Sequence, residues 1–200
     1  SSAAVTASYA RRLKQNDGPE GALVAGIALA SLVMFVRVQV LATALVPHAA
    51  VSLAIAMVPA FLVGGLTTLL ALRHRRDEAN AGDISLGNPL DFRPALILAG
   101  LVAAMAVAAR WAMRQYGDQG IVVVLGLTGM MDVDAAVLTL SGMPDNTLDG
   151  TAAGLVLAVP VLANTAFKAV LALVLAGPRH KGWKAAAPLV GSVVASAVGI

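Results

Sequence analysis

Residues 21–45 read GALVAGIALASLVMFVRVQVLATAL and contain a single charged side chain, Arg37. About 20 consecutive apolar residues are enough for a helix to cross the hydrocarbon core of a bilayer, so this stretch predicts a transmembrane helix. It is bounded by the polar loop RRLKQNDGPE (11–20) and by Pro47. Further apolar stretches follow at 49–72, 94–114, 120–142 and 151–176, with a shorter one at 185–200. Residues 1–14 predict the end of a helix that begins upstream. The chain opens Ser1-Ser2 rather than with Met, and Arg11 and Arg12 follow the mildly apolar SSAAVTASYA instead of preceding it, which is not a signal-peptide order.

Composition points the same way. Hydrophobic residues make up 58% of the chain and charged residues 12%, with a mean hydropathy of +0.82. Soluble domains carry about 25% charged residues, so a disordered chain, a charged coiled coil and an ordinary soluble enzyme are excluded. The absence of cysteine excludes disulfides, thiolate zinc sites and cysteine nucleophiles. A net charge of +3, dispersed along the chain, is no nucleic-acid footprint. His48, His74 and His180 fall in separate loops, and GxxxxGK, GxGxxG and HExxH are all missing. The expectation is therefore a protein that is not an enzyme and holds no metal or cofactor. Its partners are the lipid bilayer, a small ion or polar solute, and in an alternative reading a membrane protein.

Positive charge gives an orientation. Loops 11–20, 73–93 and 143–150, placed on one face, hold seven Lys and Arg; loops 46–50, 110–119 and 178–184, placed on the other, hold five. The first face is expected to be cytoplasmic. Trp111 and Tyr116 beside Arg110 and Arg114, and Trp183 between Lys181 and Lys184, read as interfacial anchors. Small residues predict helix contacts: Ala187, Gly191, Ala195 and Gly199; Gly100, Ala104 and Ala108; Ala22, Gly26 and Ala30.

An internal repeat is visible. SSAAVTAS (1–8) aligns with VDAAVLTLS (133–141); each is followed by a polar loop and a long helix with a late basic residue, Arg37 or Lys168, ten residues before a proline, Pro47 or Pro178. The expected fold is all-α, a polytopic transmembrane helix bundle of two parallel pseudo-repeats of about four helices, the first truncated at its N-terminus. The expected division is 1–72 for the first repeat, 73–93 for a polar linker and 94–200 for the second repeat, together one membrane domain.

At SSAAVTASYARR, NPLDFRPAL, RWAMRQYGDQGI, GLTGMMDVDAAVLTLS and ANTAFKAVLALVLAG the sequence resembles the bacterial membrane domain of unknown function found in MgtC/SapB-like family proteins. The resemblance implies a multi-pass protein of the bacterial inner membrane. It implies no activity, and the MgtC-type segment that precedes the domain in that family is not in this sequence.

Four ionisable residues lie inside predicted spans: Arg37, Asp132, Asp134 and Lys168. Each costs about 2.5–3.5 kcal/mol at a helix centre, and two acids with two bases suggest pairing. On a regular helix Asp132 and Asp134 point about 160° apart, so one is expected to meet Lys168 and the other Arg37. An unwound segment at Gly126–Gly129 would instead bring both carboxylates and Thr128 around a cation. Asn164 and Lys168 share a helix face, with Thr165 beside them; Ser2, Thr6 and Ser8 either line the same pocket or, the more common use of hydroxyls at helix spacing, join helix to helix. The candidate site is Arg37, Asp132, Asp134, Asn164, Lys168, Thr128 and Thr165. Three readings stay open: structural ion pairs, a substrate or ion site, and a proton relay.

Overall fold

The computed structural model describes residues 2–77, 129–130, 132–142, 148–177 and 180–199. Among them the fold is all helix: α1 (Ser2–Gln15), α2 (Glu20–Leu45), α3 (Pro47–Asp77), α4 (Val133–Ser141), α5 (Gly150–Ala176) and α6 (His180–Gly199). Local chemistry sets the ends. Pro19, extended at φ −63° and ψ 126°, precedes α2, and Val46 breaks the chain at φ −138° before Pro47 opens α3. Proline suits a first helical turn because its missing N–H has no partner to lose there. Asp149 caps α5 by accepting the Ala152 N–H at 2.6 Å, and Gly177, at φ +90°, ends it.

α2, α5 and the part of α3 from Pro47 to Ala71 are long and apolar enough to cross a membrane, the marks of a membrane protein. The predicted stretches at 21–45, 49–72 and 151–176 fall on these three. The stretch at 185–200 begins earlier as a helix, at His180. The stretch 94–114, the linker beyond Asp77, and Gly100, Ala104, Ala108, Trp111 and Tyr116 lie outside the described residues, as do Gly126, Leu127 and Thr128.

Interhelical contacts set the direction of each helix. Lys184 at the start of α6 pairs with Glu20 at the start of α2 at 2.6 Å, and Lys181 reaches Asn16. At the opposite end, Ser52 Oγ donates to the Gly150 carbonyl, and Gly150 lies against His48. Residues 181–184 therefore share an end with 11–20, and residues 148–150 share the other end with 46–50. This corrects the side assigned to both loops from positive charge. It also differs from the parallel direction expected for the segments that align in sequence. α1 and α4, α2 and α5, and α3 and α6 run in opposite senses, so segments that align in sequence are antiparallel. Of the stretch expected at 120–142, the described part is broken at Asp132, where φ is −146° and ψ 99°.

Two apolar cores fill the bundle. One joins the distal half of α2, the first half of α3, α4 and the first half of α5, through Phe35, Val38, Leu53, Val137 and Leu157. The other joins α1, the start of α2, the end of α5 and the start of α6, through Leu13, Ile27, Ala172 and Leu189. The polar residues of α5 lie in the interval between them: Asn164, Thr165 and Lys168 are all buried.

Polar contacts join α6 to α3. Ser192 Oγ donates to the Ala60 carbonyl at 3.1 Å, and Ser196 Oγ accepts the Ala60 N–H at 3.1 Å, just beyond Pro59, which has no N–H of its own. Of the predicted small-residue stripe, Gly191 and Gly199 approach Val63 and Pro59 of α3, whereas Ala187 is exposed. Interhelical hydrogen bonds in membranes average about 0.6 kcal/mol. Replacing Ser192 and Ser196 together with alanine should therefore cost about 1 kcal/mol, measured by thermal unfolding of the detergent-solubilised protein.

Candidate functional site

Half-way along α2, between the two cores, lies a cavity of about 660 Å³. Its wall takes Ser2, Val5 and Tyr9 from α1, Gly26 to Arg37 from one face of α2, Asp132 to Asp134 from the start of α4, and Asn164 from α5. Gly26 is needed here, because a Cβ at this position would run into the Tyr9 ring. The ring can then lie against α2 and close one side of the cavity. Gly129 serves the break before α4 in the same way: a Cβ there would meet Pro160 of α5.

The break aims the acids. Asp132 is the N-cap of α4, its Oδ1 accepting the Asp134 N–H at 3.1 Å. A short carboxylate satisfies an otherwise orphaned helical N–H and suits the positive end of a helix dipole. Asp132 is thus outside the helix, and the expectation that it and Asp134 stand on opposite faces of one continuous helix does not hold. Asp134 forms an ion pair with Arg37 of α2, so that one of the two expected pairings is present.

The pairing expected for the other base is different. Lys168 is 0% exposed, and its Nζ donates to Met34 Sδ at 3.0 Å. Among the described residues no carboxylate forms an ion pair with it. The reason is positional. Asp132 is held at the cap of α4 and lines the cavity, whereas Lys168 lies behind the wall, in contact with the far side of Met34.

Asn164, 4% exposed, donates from Nδ2 to the Met130 carbonyl at 2.7 Å, which fixes the broken segment to α5. Its Oδ1 is buried and has no hydrogen-bond partner among the described residues. Thr165 is buried but turned to its own helix, donating to the Val161 carbonyl at 2.8 Å, and takes no part in the wall. Of the α1 hydroxyls, Ser2 lines the cavity, Thr6 donates to the Ser2 carbonyl at 3.0 Å, and Ser8 is exposed. Arg37, Asp132, Asp134 and Asn164 are thus brought together, Lys168 stands behind them, and Thr128 lies outside the described residues.

Met34 escaped the sequence reading, since an apolar residue in an apolar span carries no signal. Gly150 and Gly154 escaped it as well, although GTAAG has the GxxxG spacing of close helix contacts.

Over residues 1–176 the chain matches the family described as Domain of unknown function (DUF4010). An uncharacterised protein of Aquifex aeolicus (strain VF5) is 27% identical over 185 residues, covering 90% of this chain and 80% of that protein. No solved structure matches.

Proposed function

The chain belongs to the family described as Domain of unknown function (DUF4010), and from that premise we propose that it is a membrane transporter or permease for a small ion or polar solute. The observation that carries this reading is the cavity between the two cores, where four helices bring Arg37, Asp132, Asp134 and Asn164 together. Ligand cavities commonly measure about 300–1,000 Å³; Arg37 and Asp132 are exposed at the mouth of this one, Asp134 is partly buried and Asn164 is buried, and ionisable groups within a membrane span are functional candidates.

The repeat supports it. Antiparallel copies of one helix set are the inverted-topology arrangement of many transporters, whose sites lie at the repeat interface beside discontinuous helices. α1 and α4, the aligned segments, each pack on both α2 and α5, as such a pseudo-symmetry requires. The first repeat would comprise residues 1–72 and the second 94–200, in a multi-pass protein of the bacterial inner membrane. The reaction is movement rather than chemistry, without a cofactor.

The ion pair between Arg37 and Asp134 also favours a second reading: a non-transporting module whose charges hold helix register and which regulates a partner protein. Exchanging the charges separates the two. The double variant Arg37→Asp with Asp134→Arg should restore the melting temperature lost in either single variant, yet leave solute flux into proteoliposomes abolished. Flux that survives the exchange would make the pair structural and overturn the transport site.

A further inference from the structure

The charges that line the cavity do not balance. Arg37 is matched by Asp134, which leaves Asp132, exposed at the mouth of the cavity, as a carboxylate without an ion pair among the described residues. One of its oxygens accepts the Asp134 N–H; the carboxylate has further acceptor capacity. A second acceptor is unspent: Asn164 Oδ1, on a side chain 96% withdrawn from solvent (4% exposed), has no partner among the described residues. The Met130 carbonyl, held by Asn164 Nδ2 at 2.7 Å, retains a lone pair at the break before α4; Met130 does not itself line the cavity but adjoins it through Asn164. A buried acceptor left unmade costs about 1–3 kcal/mol, so among the described residues Asn164 Oδ1 is short of a donor or a cation.

We propose that the cavity binds a small monovalent cation, an alkali ion or a primary ammonium group, held by the Asp132 carboxylate, Asn164 Oδ1 and the Met130 carbonyl. This assigns the substrate or coupling-ion class and rests on the transport reading above. One carboxylate with two neutral oxygens suits a single positive charge. Divalent Ca²⁺ and Mg²⁺ draw more heavily on carboxylates and water, and the described residues hold no group of three His, Cys, Asp or Glu. Broken helices offer cations this kind of site, because backbone carbonyls leave the helical ladder there. The opposing charge is Lys168, one turn on from Asn164. It stands outside the lining, its Nζ held by the Met34 sulfur.

The test titrates the full-length protein in detergent with LiCl, NaCl, KCl, NH4Cl and methylammonium chloride at constant ionic strength, against choline chloride. Melting temperature and calorimetric affinity are both read. At least one small cation should raise the melting temperature where choline does not; methylammonium against Na⁺ and K⁺ separates the ammonium group from the alkali ion. Asp132→Asn keeps the cap and the shape and removes the charge. It should weaken binding at least about tenfold while melting like the wild type in choline. Should it melt lower, Asn164→Ser, which removes Oδ1, should show the same weakening.

Equal response to every cation and to choline overturns the site, as does undiminished affinity in both variants. The transport reading fails separately. Cation binding without flux of any solute into proteoliposomes overturns that reading and leaves the site standing. Flux that is indifferent to cation and to Asp132→Asn overturns the site alone.

Discussion

Lys168→Met should make the protein more stable, by about 2–3 kcal/mol on the insertion cost of a lysine at a helix centre. The usual result of truncating a fully buried side chain is the reverse. Here the head group is 0% exposed and its hydrogen-bond partner among the described residues is a thioether, a weak acceptor. Little therefore offsets the cost of taking the group out of water. Methionine has nearly the same length and volume, so it fills the space beside Met34 without opening a void. Lys168→Ala gives the control: it also removes the amino group but leaves a cavity, and should be destabilised relative to Lys168→Met by about 2 kcal/mol or more. Thermal unfolding of the three proteins in one detergent measures both differences. The same substitution removes a positive charge one turn from Asn164, so the cation that stabilises the wild type should bind several-fold tighter. A less stable Lys168→Met protein would show instead that the amino group is well satisfied, and would favour the charges as scaffold.

That prediction also shows where sequence reading stops. The three long apolar helices are legible because burial in lipid demands an uninterrupted apolar run, and Pro47 and Gly177 mark ends that any helix would respect. The polar members of the site are legible for the converse reason: in a chain this apolar, Arg37, Asp132, Asp134, Asn164 and Lys168 stand out by their cost. Their partners are less so. Whether Asp132 sits within a helix or caps one depends on Gly129 meeting Pro160 and on Asn164 holding Met130, contacts between segments about thirty residues apart. Lys168 meets Met34 rather than a carboxylate because Asp132, fixed at the α4 cap, lines the cavity, and Lys168 is not among the lining residues. Helix direction is the largest loss. The alignment of 1–8 with 133–141 is unchanged whether the two segments run parallel or antiparallel, so it carries no information on direction.

Gly154→Leu should be the most damaging single substitution in the packing of α3 against α5, costing about 3 kcal/mol, the upper end of the usual range for overpacking. A Cβ at Gly154 would meet Ser52 of α3, and would lie 2.6 Å from the Leu53 backbone nitrogen. A side chain cannot be displaced there, because part of the obstacle is backbone. Gly150, one turn earlier, faces the His48 carbonyl in the same way, so GTAAG (150–154) forms a groove that seats α3. Close approach is what lets Ser52 Oγ reach the Gly150 carbonyl; without water or a hydrophobic drive between helices in lipid, such packing supplies much of the attraction. The consequence reaches the site. α5 carries Asn164, and α3 holds α5 in place, so helices forced apart at Gly154 should loosen the hold of Asn164 on Met130 and with it the break that presents Asp132. Gly154→Ala should cost less, about 1 kcal/mol or somewhat more, and cation affinity should fall in the same order, from wild type to Ala to Leu. Melting temperatures and calorimetric titrations of the two variants measure this. A Gly154→Leu protein as stable as the wild type would mean that the α3–α5 contact is not the tight one described, and the geometry of the cavity wall would have to be redrawn.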